Sequence, residues 1–182
     1  MLAYLYLVIA VAIRFLIALK FLPFAFNFTP VGAALLFFGA RTGRKRMWIP
    51  VLALAASDVA LNRFVYGYPF TADLLFTWAW YAGIVLMGGW LKENERPLRV
   101  GGAALATSVT FFLVSNFAVW AVWNMYPKTA AGLLQSYVAG LPFFRQTMAS
   151  DLLFSVLFFG LPVLVGAAQR RMRAAGATSR AA

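Results

Sequence analysis

Apolar residues run through this chain in long blocks, and polar residues collect in short segments between them. A membrane-spanning helix needs about 20 apolar residues, at 1.5 Å of rise each across roughly 30 Å of hydrocarbon. The first block is 2–22, interrupted by Arg14 and Lys20. It lacks the basic start and small-residue cleavage site of a signal peptide, so it is expected to stay in the mature protein. The second block is 21–40. Pro23 and Pro30 break it, so its front part is expected to be a turn. Thr29 before Pro30 reads as an N-cap and a first helical residue. What remains is a short helix, about 30–40. Further helices are expected at 47–61, at 71–91 with Thr71 as cap, at 100–124 and at 148–168. The segment 125–147 reads as a long loop holding a short helix at 129–140. A basic tail, 169–182, is expected to be disordered at its end. The pattern therefore predicts an all-α membrane protein, with six transmembrane helices in one domain spanning 1–168. No period of 20–50 residues marks internal repeats.

The polar segments set the orientation. Basic residues in 41–46, 92–99 and the tail total eleven, against Lys20, Arg63, Lys128 and Arg145 on the opposite side. The positive-inside rule then places both termini in the cytoplasm. A re-entrant 21–40 would put the basic segment 41–46 outside, so the count favours six spans over five.

Composition agrees with that picture. Of 182 residues, 63% are hydrophobic and 12% charged, against about 25% charged in a soluble domain. The net charge of +11 could suggest nucleic acid. The basic residues sit between apolar blocks, as topology requires, and nucleic-acid binding is not expected. There is no Cys, which removes disulfides and thiol nucleophiles, and no His, the commonest general base near neutral pH. No Walker A string and no GxGxxG loop occurs. Catalysis, a metal and a cofactor are therefore not expected.

Two ionisable residues look deep. Arg14 and Asp58 each fall roughly 11–12 residues into a helix that starts inside, near mid-bilayer. Buried charges in lipid pair or face a polar cavity, so an Arg14–Asp58 pair between the first and third helices is expected. It would be either a ligand-coupled site or a structural clamp. Asp73 and Asp151 are read near the outer starts of helices, where the macrodipole favours a carboxylate; Asp151 could also orient the preceding loop against Arg145. The outer half is rich in aromatics and amides. Asn27, Tyr81, Asn116, Trp120, Asn124, Tyr137, Phe144 and Arg145 are the candidate substrate-binding residues. Asn116, Trp120, Trp123 and Asn124 fall close to one helical stripe. Amides and aromatics on one face suit a flat neutral or zwitterionic ligand, or equally a helix–helix contact. Gly39 and Gly43, Ala53 and Ser57, and Ala56 and Ala60 are four apart, the spacing of close helix packing or of partner docking.

Several strings carry a resemblance. They are Asn27-Phe28-Thr29-Pro30-Val31-Gly32-Ala33, Ser57-Asp58, Ser115-Asn116-Phe117 with Trp120, Tyr126-Pro127, Gly132-Leu133 and Tyr137-Val138-Ala139. Pro142-Phe143-Phe144-Arg145 and Asp151-Leu152-Leu153-Phe154 complete the set. Together they resemble an uncharacterised family of small bacterial membrane proteins regarded as S-components of energy-coupling factor (ECF) transporters. The resemblance implies a six-helix subunit of the bacterial cytoplasmic membrane with both ends inside. It would bind a vitamin or similar micronutrient from outside and dock on a scaffold subunit driven by ATPase partners. One departure is that the first helix has no clear Ala-x-x-x-Ala docking string. The alternative is a structural or assembly membrane protein with no small ligand.

Overall fold

The computed structural model describes residues 1–22 and 27–180, with side chains at all of these except 44 and 174–180. The turn expected at Pro23 lies outside the described residues. Among them there are six α-helices and no strand: α1 (Leu2–Ala18), α2 (Val31–Arg41), α3 (Trp48–Ala60), α4 (Asp73–Leu91), α5 (Pro97–Val122) and α6 (Ala130–Arg180). Four helical segments are long and apolar enough to cross a membrane: Trp48–Tyr66, Asp73–Leu91, Pro97–Val122 and the apolar part of α6. α1 and α2 are shorter, rising about 25 and 16 Å.

The short α2 is the central post. Every residue from Val31 to Ala40 is buried. α1, α4, α5 and α6 all pack on it. Its length is set by its ends. Pro30 stands at the N-cap and Thr42 turns extended, with its hydroxyl donating back to the Phe38 carbonyl at 2.7 Å. Phe37 meets Tyr6 of α1 and Phe159 of α6 edge-on, and Tyr6 stacks flat on Phe158 at 4.0 Å. Aromatic pairs in these geometries add to what burial alone contributes. Arg41, at the end of α2, pairs with Glu95 in the α4–α5 turn at 2.6 Å.

Glycine lets α2 and α4 touch backbone to backbone. A Cβ on Gly39 would collide with the Val85 carbonyl, and one on Gly88 with the Leu36 carbonyl. Gly43, the other half of the expected Gly39–Gly43 pair, faces open space. Packing needs the first glycine and not the second.

Several boundaries differ from the pattern-based expectation. α1 ends at Ala18, not 22. The third helix does not stop at 61. It widens into a π turn, Leu61–Tyr66, and ends at Gly67 in the left-handed region at φ 71°. α4 starts at Asp73 and takes no side-chain cap from Thr71. Thr29 likewise caps nothing; its carbonyl accepts the Ser150 hydroxyl at 2.7 Å. α5 starts three residues earlier than expected, because Pro97 fits a first helical position whose N–H has no partner in any case.

The largest correction concerns α6. From Ala130 onward, the rest of the loop expected over 125–147, its short helix at 129–140, the span at 148–168 and most of the tail are one continuous helix to Arg180. Pro142 and Pro162 lie inside it. Packing supplies what proline removes, since α6 runs antiparallel along α5. Ser136 donates to the Asn116 carbonyl, Tyr137 to the Leu113 carbonyl and Ser108 to Asp151. Proline is tolerated in apolar helices held by such neighbours.

The connections sort the bundle into two ends. The α2–α3 and α4–α5 turns and the C-terminal part of α6 share the basic end. The ends of α1 and α3 and the starts of α2, α4 and α6 share the opposite end.

Candidate ligand-binding cavity

A cavity of about 560 Å³ opens among the helix ends opposite the basic turns. Arg14 and Ile17 come from the last turns of α1, Lys20 from the turn just after it, and Asn27, Thr29 and Gly32 from the entry to α2. Asp58, Asn62 and Tyr66 come from the end of α3 and its π turn. Thr77, Trp80 and Tyr81 come from the start of α4, Phe111 from α5, and Thr147 and Asp151 from α6. The backbone is unusual at two of these. Lys20 and Asn27 both sit at positive φ, 63° and 58°. Asn tolerates that conformation and Lys does so less readily.

One wall is a closed polar cluster. The Arg14 guanidinium is ion-paired to Asp58 through Nη2, and its Nη1 donates to the Ser57 hydroxyl at 2.7 Å. The Ser57 hydroxyl in turn donates to the Leu54 carbonyl at 2.7 Å. Trp78 donates its indole N–H to Asp58 Oδ2 at 3.0 Å, and the Tyr81 hydroxyl donates to Oδ1 at 3.4 Å. The Asp58 carboxylate thus meets a cation and two neutral donors. A buried network sharing one carboxylate in this way ties its members together. The cluster both joins α1, α3 and α4 and faces the cavity.

The opposite wall is different. Asp151 is 2% exposed. It lies midway along α6, not at a helix start, and Arg145 is exposed and does not reach it. Among the described residues its one hydrogen bond is from the Ser108 hydroxyl to Oδ2 at 2.7 Å. Gly32 in the first turn of α2 lies directly against the carboxyl group; a Cβ there would overlap it. Asp73, by contrast, is the first residue of α4, where the dipole suits it.

A second cavity of about 220 Å³ adjoins the first. Asn27, Phe111 and Thr147 line both. Asn116, Phe143 and Phe144 line the smaller one. Asn116 also donates to the Phe112 carbonyl at 2.8 Å, and Gly140 of α6 packs on its amide.

The candidates read from sequence therefore divide. Asn27 and Tyr81, with Arg14 and Asp58, meet at the larger cavity, and Asn116 and Phe144 meet at the smaller. Trp120, Asn124, Tyr137 and Arg145 line neither. The expected stripe breaks because α5 ends at Val122, four residues short of Tyr126, which the following Pro127 biases away from helix. Trp120 instead donates to the Pro127 carbonyl at 2.9 Å. Lys128 caps the end of α5 by donating to the Trp120 and Trp123 carbonyls, the latter at 2.7 Å. These contacts hold the α5–α6 turn. Thr77, Asn62 and Phe111 were missed because nothing in their local pattern marks them. Thr147 and Asp151 stand one helical turn apart, a spacing visible only once α6 is continuous.

A family model matches residues 2–175, nearly the whole chain. The chain belongs to DUF6580, a family of unknown function. No curated protein matches it, and no solved structure does. For this DUF6580 member the cavity geometry is therefore the ground on which a functional reading stands.

Proposed function

We propose that this protein is the substrate-binding membrane subunit of an importer, S-component-like, taking up a vitamin or similar micronutrient. It would cross the bacterial cytoplasmic membrane six times with both ends inside, and partner scaffold and ATPase subunits would energise it. The observation that carries the reading is the 560 Å³ cavity with two carboxylates, an arginine and aromatic walls. Ligand sites are typically concave, about 300–1,000 Å³, and largely apolar with a few placed polar groups. Its position supports uptake from outside, because it opens at the end away from the basic turns. A structural protein would need neither the volume nor the polar groups facing it.

The direction of opening is testable in a chain that has no native Cys. Cysteine placed singly at Asn62, on the cavity wall, is expected to react with a membrane-impermeant maleimide added to intact cells. Cysteine at Lys92, in the α4–α5 turn, is expected to react only after permeabilisation. Labelling at Lys92 and protection at Asn62 in intact cells would invert the orientation and remove the uptake reading.

A further inference from the structure

The charged groups around the cavity are not all paired with one another. Arg14 is neutralised by Asp58. Lys20, the other cation on the wall, is solvent-exposed and makes no ion pair among the described residues. Asp151 is buried, faces the cavity and has no cationic partner among the described residues. A carboxylate has about four acceptor positions. Ser108 occupies one of them, on Oδ2, and Oδ1 has no hydrogen-bond partner among the described residues. The first turn of α2 lies beside the carboxyl group and contributes about half a positive charge at most. Buried charges are otherwise paired.

We propose that the cavity selects ligands that carry a cationic nitrogen, and that the nitrogen docks on the free oxygen of Asp151. This rests on the reading of the cavity as a ligand site and adds the ligand's chemical class. The bound cation supplies the local partner that Asp151 lacks among the described residues. Trp80 and Phe111 line the same cavity with ring centroids 4.8 Å apart, and Trp80 is buried. Aromatic faces attract cations, which reinforces the same selection. The preference comes from placement: one wall carries a carboxylate already matched to a cation, and the other carries one that is not.

The test is thermal unfolding of the full-length protein in a neutral detergent with matched probes. Benzylamine and phenethylamine are cationic near neutral pH. Benzyl alcohol, phenethyl alcohol and benzoate are their uncharged and anionic counterparts. The amines are expected to raise Tm at concentrations at least about tenfold below any effect of the counterparts, as a charge-assisted hydrogen bond requires. Asp151→Asn is expected to abolish that preference, and Ser108→Ala, which keeps the carboxylate, to retain it. If Asp151→Asn does not fold, the amine preference of the wild type and of Ser108→Ala still decides. Equal stabilisation by alcohols or benzoate would overturn the cation class and leave the ligand reading standing. An amine preference surviving in Asp151→Asn would overturn the role of Asp151. If no probe raises Tm, the cation inference falls, and retention of a cellular ligand, described below, decides the function separately.

Discussion

Leucine in place of Gly39 or Gly88 is expected to prevent the bundle from closing, whereas leucine at Gly43 is expected to leave it intact. The first two positions face carbonyls of the neighbouring helix, Val85 and Leu36. Backbone cannot rotate aside as a side chain can. Both helices would have to separate along their whole contact, and α2 is buried at every residue from Val31 to Ala40. Overpacking in a core that can adjust costs about 1–3 kcal/mol, and here the adjustment is closed off. A loss of at least about 3 kcal/mol is therefore expected at either glycine. Gly43 meets nothing within 4 Å, so a change there should stay within about 0.5 kcal/mol. Reversible unfolding in mixed micelles reads the difference. Equal losses at Gly39 and Gly43 would mean that α2 and α4 do not cross where the structure has them.

Removal of Arg14 is the second large effect. Arg14→Ala leaves Asp58 with the donors of Trp78 and Tyr81 but without its cation. Asp58→Ala leaves the guanidinium with Ser57 alone. Breaking a buried pair from one side costs about 3–5 kcal/mol, because the remaining charge is stranded. The double variant strands nothing. Its loss should therefore fall well below the sum of the two single losses, with an interaction energy of at least about 1 kcal/mol. Additive losses would show that the two groups are not coupled in the folded protein.

The same pair illustrates what the sequence carries and what it hides. Counting residues into two apolar blocks was enough to place Arg14 and Asp58 at one depth, and the structure has them in contact. Depth is a one-dimensional property, so it survives in a linear reading. The helical class was legible for the same reason, since block length and apolar content are local. The continuity of α6 was not. The segment 125–147 reads locally as a loop around a short helix, and the long contact with α5 carries one helix through it. Losing that continuity misplaced Asp151 at a helix start and hid its neighbour Thr147. The partners of Asp151 lie far away in sequence: Ser108, 43 residues before it, and Gly32 in another helix. The aromatic stripe on α5 failed for a complementary reason. Trp120 and Asn124 are only on one face if the helix continues, and it ends at Val122.

The central claim is that a small molecule occupies the larger cavity. Native mass spectrometry of the full-length protein, released gently from detergent, tests it most directly when paired with Thr77→Trp. Thr77 lines that cavity and takes no part in the Arg14–Asp58 cluster. An indole in its place would fill the space while leaving the helix contacts unchanged. The account predicts a retained species of micronutrient mass on the wild type, absent from a folded Thr77→Trp variant. A retained species unaffected by Thr77→Trp would put the ligand elsewhere. A wild type that retains nothing, even after incubation with a cell extract, would contradict the account and favour a structural protein.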